Sequence, residues 1–403
     1  MKERNISFSP PDIGREEIEE VIDVLRSGWI TTGPKTKLFE KQIAESCGTK
    51  RAVCLNSATA GLELALRILG VGKGDEVITG AYTYTASASV IEHVGAKIVL
   101  CDLAPSGYEM DYDKLPELIT ERTKAIIPVD IAGKVCDYDK LYKIVNEAAH
   151  KFKPNNEIQE KFGRIILLAD GAHSFGAERH NLKSGNIADI TVFSFHAVKN
   201  LTTAEGGAVT WRENPAIDDE EFYKLFMLWS LHGQSKDALA KTQIGAWEYD
   251  IKMCGMKCNM TDIMAGIGIA QLRRYPSLLA RRREIIGKYD EKIKDRLAIT
   301  LDHYGADHAS SGHLYLTNVF GANEQQRNEI IKKMALRGVA SNVHYKPLPM
   351  HTAYKELGFD IKDFPQAYAR YANEITLPLH TLLSDEDVEY VVDVYAKAIK
   401  ETL

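Results

Sequence analysis

The sequence predicts an α/β protein, with a mostly parallel sheet covered by helices and a smaller α+β domain after it. Three observations predict this. Short apolar runs alternate with amphipathic segments through most of the chain, which is the pattern of strands joined by helical crossovers. From about Met256 the pattern changes to a long charged helix, one strand-like run and further helices. The 403 residues, 45% of them hydrophobic, suffice for two domains or one large domain with a sizeable core. We therefore divide the chain into residues 1–255, a large domain preceded by an N-terminal arm, and residues 256–403, a small α+β domain.

In REEIEEVIDVLRSG, Ile18, Val21, Ile22 and Leu25 fall at helical spacing and Gly28 supplies the stop, so this is a helix. RAVCLNS (51–57) reads as a buried strand that passes at Ser57 into the helix ATAGLELALRILG, where Leu62, Ala65, Leu66 and Leu69 repeat the spacing. DEVITG (75–80), KIVLCD (97–102), KAIIPVD (124–130), RIILLAD (164–170) and DITVFSFH (189–196) are further strands. The polar stretch HKFKPNNEIQEKFG (150–163) lacks apolar periodicity and reads as a surface insertion or an extended helix-loop. In the second domain a charged helix runs around QLRRYPSLLARRREIIGKYDEKIKDRL. A strand in HLYLTNVF (313–320), a helix near Gln325–Leu336 and a C-terminal helix in SDEDVEYVVDVYAKAIKE follow. There is no internal repeat and no low-complexity segment.

Charge and composition narrow the function. Fifty basic residues stand against 56 acidic ones, a net charge of −6, with no basic block, so nucleic acid is not an expected partner. No apolar run reaches the roughly 18 residues of a membrane span, and MKERNISFSPPD lacks a hydrophobic signal core, so a cytoplasmic location is expected. Of the six cysteines only Cys254 and Cys258 lie close together, with no second ligand pair. They read as small buried hydrophobes, and no structural metal is expected.

The chemistry sits at strand ends. In NSATAG (56–61) a strand opens into a helix, aiming unpaired N–H groups and the positive helix end at one spot. That arrangement is either a phosphate cup or an ordinary Ser57 N-cap. In LADGAHSFGA (168–177), Asp170 ends an apolar strand, where parallel sheets expose functional groups. It either faces a cation, such as a protonated pyridine nitrogen, or caps the next turn. His173, three residues on, either bonds the same ring or packs in the loop. In FSFHAVKN (193–200), Ser194, His196 and Lys199 lie at or just past the next strand's end, so Lys199 enters the same crevice. A lysine, an aspartate and a helix-terminal phosphate cup are the parts that hold pyridoxal phosphate as a Schiff base, and desolvation lowers the lysine pKa as that chemistry needs.

These motifs, with SGWITTGP (27–34), GAYTYTASA (80–88), EGGAV (205–209), MKCNMTDIMAGIGIAQL (256–272), VHYKPLPMH (343–351) and LPLHTLLSDEDV (377–388), run nearly the length of the chain. In them the chain resembles the DegT/DnrJ/EryC1/StrS family of pyridoxal-phosphate-dependent nucleotide-sugar aminotransferases. The resemblance implies an aspartate aminotransferase-like fold, that of the fold type I enzymes. It also implies transfer of an amino group from an amino acid, as in the family L-glutamate, to a nucleotide-linked keto-sugar.

Residue by residue, Lys199 matches the lysine that binds the cofactor and shuttles protons. Asp170 matches the partner of the pyridine nitrogen, His173 the neighbour of the ring hydroxyl, and Tyr84 the aromatic residue stacked on the ring. Ala58 and Thr59 match the phosphate-binding turn, to which Ser194 also donates. Asn259 matches a residue that reaches the cofactor phosphate of the neighbouring subunit, implying a homodimer with shared active sites. His344 and Tyr345 match a loop near the substrate. The arginines of RRYPSLLARRR either meet a diphosphate or lie along a solvated bridging helix.

The chain departs from the family at Ala58, where glycine is usual, and at Met256 and Cys258, where tyrosines are common. It keeps Lys199 where a dehydratase branch carries histidine. Two alternatives remain open at this point. One is another reaction of the same cofactor, such as sugar dehydration or amination of a cyclitol or aminobenzoate precursor. The other is a non-catalytic regulator that binds the cofactor.

Overall fold

The computed structural model describes residues 4–215, 217–235 and 248–403. The expected strands form: β1 (Ala52–Leu55), β2 (Glu76–Gly80), β3 (Lys97–Cys101), β4 (Thr123–Ile127) and β5 (Ile166–Asp170). After two short strands, β6 (Glu178–Arg179) and β7 (Leu182–Lys183), come β8 (Ile190–Ser194) and β9 (Gly207–Trp211). Seven of these build one sheet in the order β1-β9-β8-β5-β4-β2-β3. Pairing is parallel from β8 to β3, whereas β9 runs antiparallel to both β1 and β8.

β9 is an addition to the expected strands. Its glycine pair at Gly206–Gly207 reads locally as a break, yet all five of its residues are buried between two neighbours. It also fixes the site, because Gly207 is the register partner of Leu55 at the end of β1 and of Ser194 at the end of β8.

Helices cover the sheet. α1 (Arg15–Ser27), α2 (Pro34–Cys47) and α3 (Ala58–Ile68) come first, then α4 (Ala86–His93), α5 (Leu115–Leu118), α6 (Tyr138–Glu147), α7 (Glu157–Phe162) and α8 (Asp219–Ser230). α1 ends where expected, at Gly28 in the left-handed conformation (φ 73°). Its burial differs from the periodicity. Glu17 and Val24 face inward, while Ile18, Ile22 and Leu25 are exposed. Glu17 is drawn in by polar partners, accepting from the Gly14 amide at 2.7 Å and from Gln271 Nε2 at 2.9 Å. Within 150–163, α7 is a short packed helix, held by Gln159 donating to the Leu69 carbonyl at 2.8 Å.

The long helix α9 (Asp262–Ile293) begins ahead of the charged stretch. Thr261 caps its start, accepting from the Met264 amide at 3.4 Å, and the Asp262 carboxylate accepts from the backbone amides of Gly33, Lys35 and Thr36 at 2.8–3.0 Å and so pins the entry of α2. Ala265, Ile269 and Tyr275 of α9 pack in the core under α2, whereas Ile285, Ile286, Tyr289 and Ile293 belong to a second core. That core is completed by β10 (Ala298–Thr300), β12 (Tyr315–Val319), α10 (Glu324–Leu336), β13 (Glu374–Leu377) and α13 (Asp385–Lys400). β11 (His308–Ala309) pairs with β6, and α11 (Thr352–Glu356) and α12 (Pro365–Ala372) lie between β12 and β13 in the chain. The N-terminal arm docks on this half, with the Ile6 amide donating to the Gly338 carbonyl at 2.7 Å.

Five cysteines are buried as small core residues, and Cys254 is exposed. Among the described residues no helix is long and apolar enough to cross a membrane.

Candidate active site

The carboxyl ends of β1, β5 and β8 open on one cavity of about 530 Å³. Of the expected site residues, Ala58, Thr59, Tyr84, Asp170, His173, Ser194, Lys199, His344 and Tyr345 all line it. Asn259 does not. It forms a bridge with Leu55, and its amide donates to Thr32 Oγ1, outside the cavity of its own chain.

The N-cap reading of Ser57 holds. Its hydroxyl accepts from the Ala60 amide at 3.1 Å and caps α3. Ala58 and Thr59, the first two residues of α3, line the cavity, and their amides lie ahead of any intrahelical acceptor. Gly207 makes this crossing possible, because a Cβ there would stand 2.6 Å from the Ala58 nitrogen and 2.7 Å from the Phe193 carbonyl oxygen. Ser194 ends β8 beside this turn, its hydroxyl accepting from the His196 amide at 3.4 Å.

Asp170 is buried at the end of β5. It accepts from Ser87 Oγ at 2.7 Å and from the Ala172 amide at 3.1 Å. Burial raises its pKa, opposed by those two donors and by the charge of Lys199. Burial likewise pulls Lys199 from its ordinary 10.5 to about 8, with Asp170 working in the other direction. Among the described residues nothing forms a hydrogen bond or ion pair with Lys199 Nζ, so the amine is open to a ligand.

His173 is held neutral, its pKa pushed well down by burial and then by the charges of Lys199 and His344. Its Nδ1 accepts from the Ala132 amide at 3.2 Å, Nε2 lies 3.1 Å from the Tyr345 hydroxyl, and its ring lies 4.3 Å from that of His313. His344 bonds Thr376 through Nδ1 at 2.9 Å and stacks on Phe8 of the N-terminal arm at 5.6 Å. Tyr84 lines the cavity, 60% exposed, with its ring 6.2 Å from that of Tyr345.

Residues the sequence reading did not single out are Ser87, Thr83, Gly207, His313 and Phe8. Ser87 and Gly207 fall inside quoted motifs, but only the tertiary contacts distinguish them. The arginines of RRYPSLLARRR do not line the cavity. Arg273 pairs with Glu20, Arg274 with Asp12 and Arg281 with Asp385, while Arg282 is buried against the Leu379 carbonyl at 2.9 Å.

Among the described residues, an amine without a partner, a buried carboxylate and two unpaired helix-terminal amides fit pyridoxal phosphate. The donor set suits its aldehyde, its ring nitrogen and its phosphate respectively. Fold and site together define a fold type I pyridoxal-phosphate enzyme. Over residues 11–395 the chain matches the DegT/DnrJ/EryC1/StrS aminotransferase family, and it belongs to that family as a pyridoxal-phosphate-dependent aminotransferase. Among solved structures it is similar to a putative sugar aminotransferase, Spr1654, from Streptococcus pneumoniae in its PMP form. That match has 56% identity and a TM-score of 0.97, covering 99% of this chain and 100% of that one. It is also similar to Helicobacter pylori PseC, an aminotransferase involved in the biosynthesis of pseudoaminic acid, at 30% identity and a TM-score of 0.87, covering 99% and 100%. A further relative is the spore coat polysaccharide biosynthesis protein SpsC of Bacillus subtilis, 35% identical, with 99% of each chain covered.

Proposed function

We propose that the protein transfers an amino group from L-glutamate to a nucleotide-linked keto-sugar, in amino-sugar biosynthesis for a surface polysaccharide or a glycosylated metabolite. The observation that carries this is the meeting of Lys199, Asp170 and the α3 N-terminus in one cavity. Relatives named for sugar amination and polysaccharide biosynthesis support the sugar acceptor.

The bound cofactor supplies an electron sink for the bonds at the donor's α-carbon. The chain's residues do the rest. The Ala58 and Thr59 amides and the Ser194 hydroxyl hold the phosphate. Asp170 would accept from the ring nitrogen and keep it protonated, and Tyr84 would stack on the ring. Lys199 Nζ, neutral in a larger fraction than an exposed lysine, would take the α-proton of the donor in one half-reaction and, after the donor's keto acid has left, deliver a proton to the acceptor carbon in the other. His344 and Tyr345, which line the same cavity, would meet the sugar.

The working unit in this reading is a cytoplasmic homodimer. A second copy would cover the exposed Ile18, Ile22 and Leu25, and Asn259, outside its own cavity, would serve the partner's phosphate.

The test is a panel of nucleotide keto-sugars with isotope-labelled glutamate. The reading requires labelled nitrogen on the sugar product. Loss of water from the sugar with no nitrogen gained would overturn it.

A further inference from the structure

The backbone beside His173 carries an unusual feature. Ala132 sits in the left-handed region at φ 58°, ψ 8°, a conformation that residues with a Cβ seldom adopt, and Gly133 follows at φ 93°. The turn is locked from behind. The His313 amide donates to the Ala132 carbonyl at 2.9 Å, and the Ser311 amide to the Gly133 carbonyl at 3.1 Å. A Cβ at Gly133 would stand 2.1 Å from Ser311 Oγ, so the second position is closed to other residues. Held this way, the Ala132 amide points at His173 Nδ1, 3.2 Å away.

A backbone N–H can only donate. His173 Nδ1 therefore offers a lone pair, and the proton of the neutral ring resides on Nε2. Nε2 is 3.1 Å from the Tyr345 oxygen, so Nε2–H donates and that oxygen accepts. Among the described residues the Tyr345 hydroxyl has no other hydrogen-bond partner, and Tyr345 lines the cavity. Its own proton is thus available to a ligand.

We propose that the left-handed turn at Ala132 fixes His173 as its Nε2–H tautomer and thereby makes the Tyr345 hydroxyl a hydrogen-bond donor into the cavity. Ala132 and His173 are then positioning residues, and Tyr345 selects for an acceptor oxygen in the ligand. Two oxygens share that chemistry: the phenolic oxygen of the cofactor ring and the carbonyl oxygen of the keto substrate. Only the second depends on the proposed sugar acceptor.

Neutron diffraction from deuterated crystals of the full chain, with pyridoxal phosphate bound, tests this. The expected result is deuterium on His173 Nε2, none on Nδ1, and the Tyr345 O–D turned into the cavity. An O–D aimed at the ring oxygen makes the cofactor the acceptor, and one aimed at solvent leaves that role to the substrate. Deuterium on Nδ1, or a Tyr345 O–D aimed at His173, overturns the proposal. In solution, nitrogen NMR of histidine-labelled Tyr345→Phe protein should still find the His173 proton on Nε2. A switch to Nδ1 in that variant would mean that Tyr345, not Ala132, sets the tautomer. Both measurements read protons rather than turnover, so their failure leaves the assignment of the reaction untouched.

Discussion

The hydroxyl of Ser87 donates to Asp170 Oδ2 at 2.7 Å, and behind it the Thr83 hydroxyl lies 3.0 Å from Ser87 Oγ. Ser87 commits its single proton to the carboxylate, so Thr83 must donate to Ser87, and the chain of hydroxyls polarises toward Asp170. Both serine and threonine are buried, so water cannot replace a lost member.

Ser87→Ala should therefore weaken the site measurably. A hydrogen bond to a charged group contributes about 1.5–3 kcal/mol, so cofactor affinity should fall roughly tenfold or more. Asp170, already raised by burial, should rise further, moving the acid limb of the activity profile to higher pH. Equilibrium binding of pyridoxal phosphate and a pH profile of turnover read the two effects. Unchanged values in both would show that Ser87 only fills space.

Lys199 gives a pH prediction of defined sign. Its folded pKa, about 8, lies below the ordinary 10.5, so the fold disfavours the charged amine. Cofactor capture needs the neutral amine. Its rate should rise about tenfold per pH unit below about 8 and level off above it. The same shift makes stability increase with pH between about 8 and 10.5, where the unfolded chain binds more protons. Stopped-flow absorbance on cofactor-free protein reads the first effect, and a flat rate from pH 6 to 9 would contradict it.

Gly207→Ala places a methyl 2.6 Å from the Ala58 nitrogen, a backbone atom that moves only with the start of α3. Overpacking of this kind costs about 1–3 kcal/mol of stability. The larger effect should fall on phosphate binding, since the Ala58 and Thr59 amides shift. Thermal melts with and without pyridoxal phosphate separate the two, and the variant should lose most of the stabilisation that ligand confers on the wild type.

The site was legible in the sequence where function follows strand ends. Asp170 and Lys199 each close or follow an apolar run, and the parallel sheet sets those ends side by side. The contact of Ser87 with Asp170 joins residues 83 apart and left no local pattern. β9 was hidden because Gly206 and Gly207 look like a turn, although Gly207 is needed for the crossing at Ala58. α1 was recognised as a helix, but its inward face was set by Gln271 reaching Glu17, a tertiary contact that overrode the apolar spacing.

The proposed subunit pairing yields a complementation test. Lys199→Ala and Asn259→Ala proteins should each be impaired, and mixing them under exchange conditions should restore activity in hybrids that hold one intact site. A fully active monomer in sedimentation would contradict shared sites. Ile18→Glu on the exposed stripe of α1 should weaken the pairing without altering the isolated fold.

The central claim is that Lys199 is the amine that takes the cofactor. Borohydride reduction of the pyridoxal phosphate form, followed by peptide mapping, tests it most directly. The account predicts one reduced pyridoxyl group per chain, on the peptide containing FSFHAVKN, at Lys199. Label on another lysine, or none after full reconstitution with the cofactor, would contradict it.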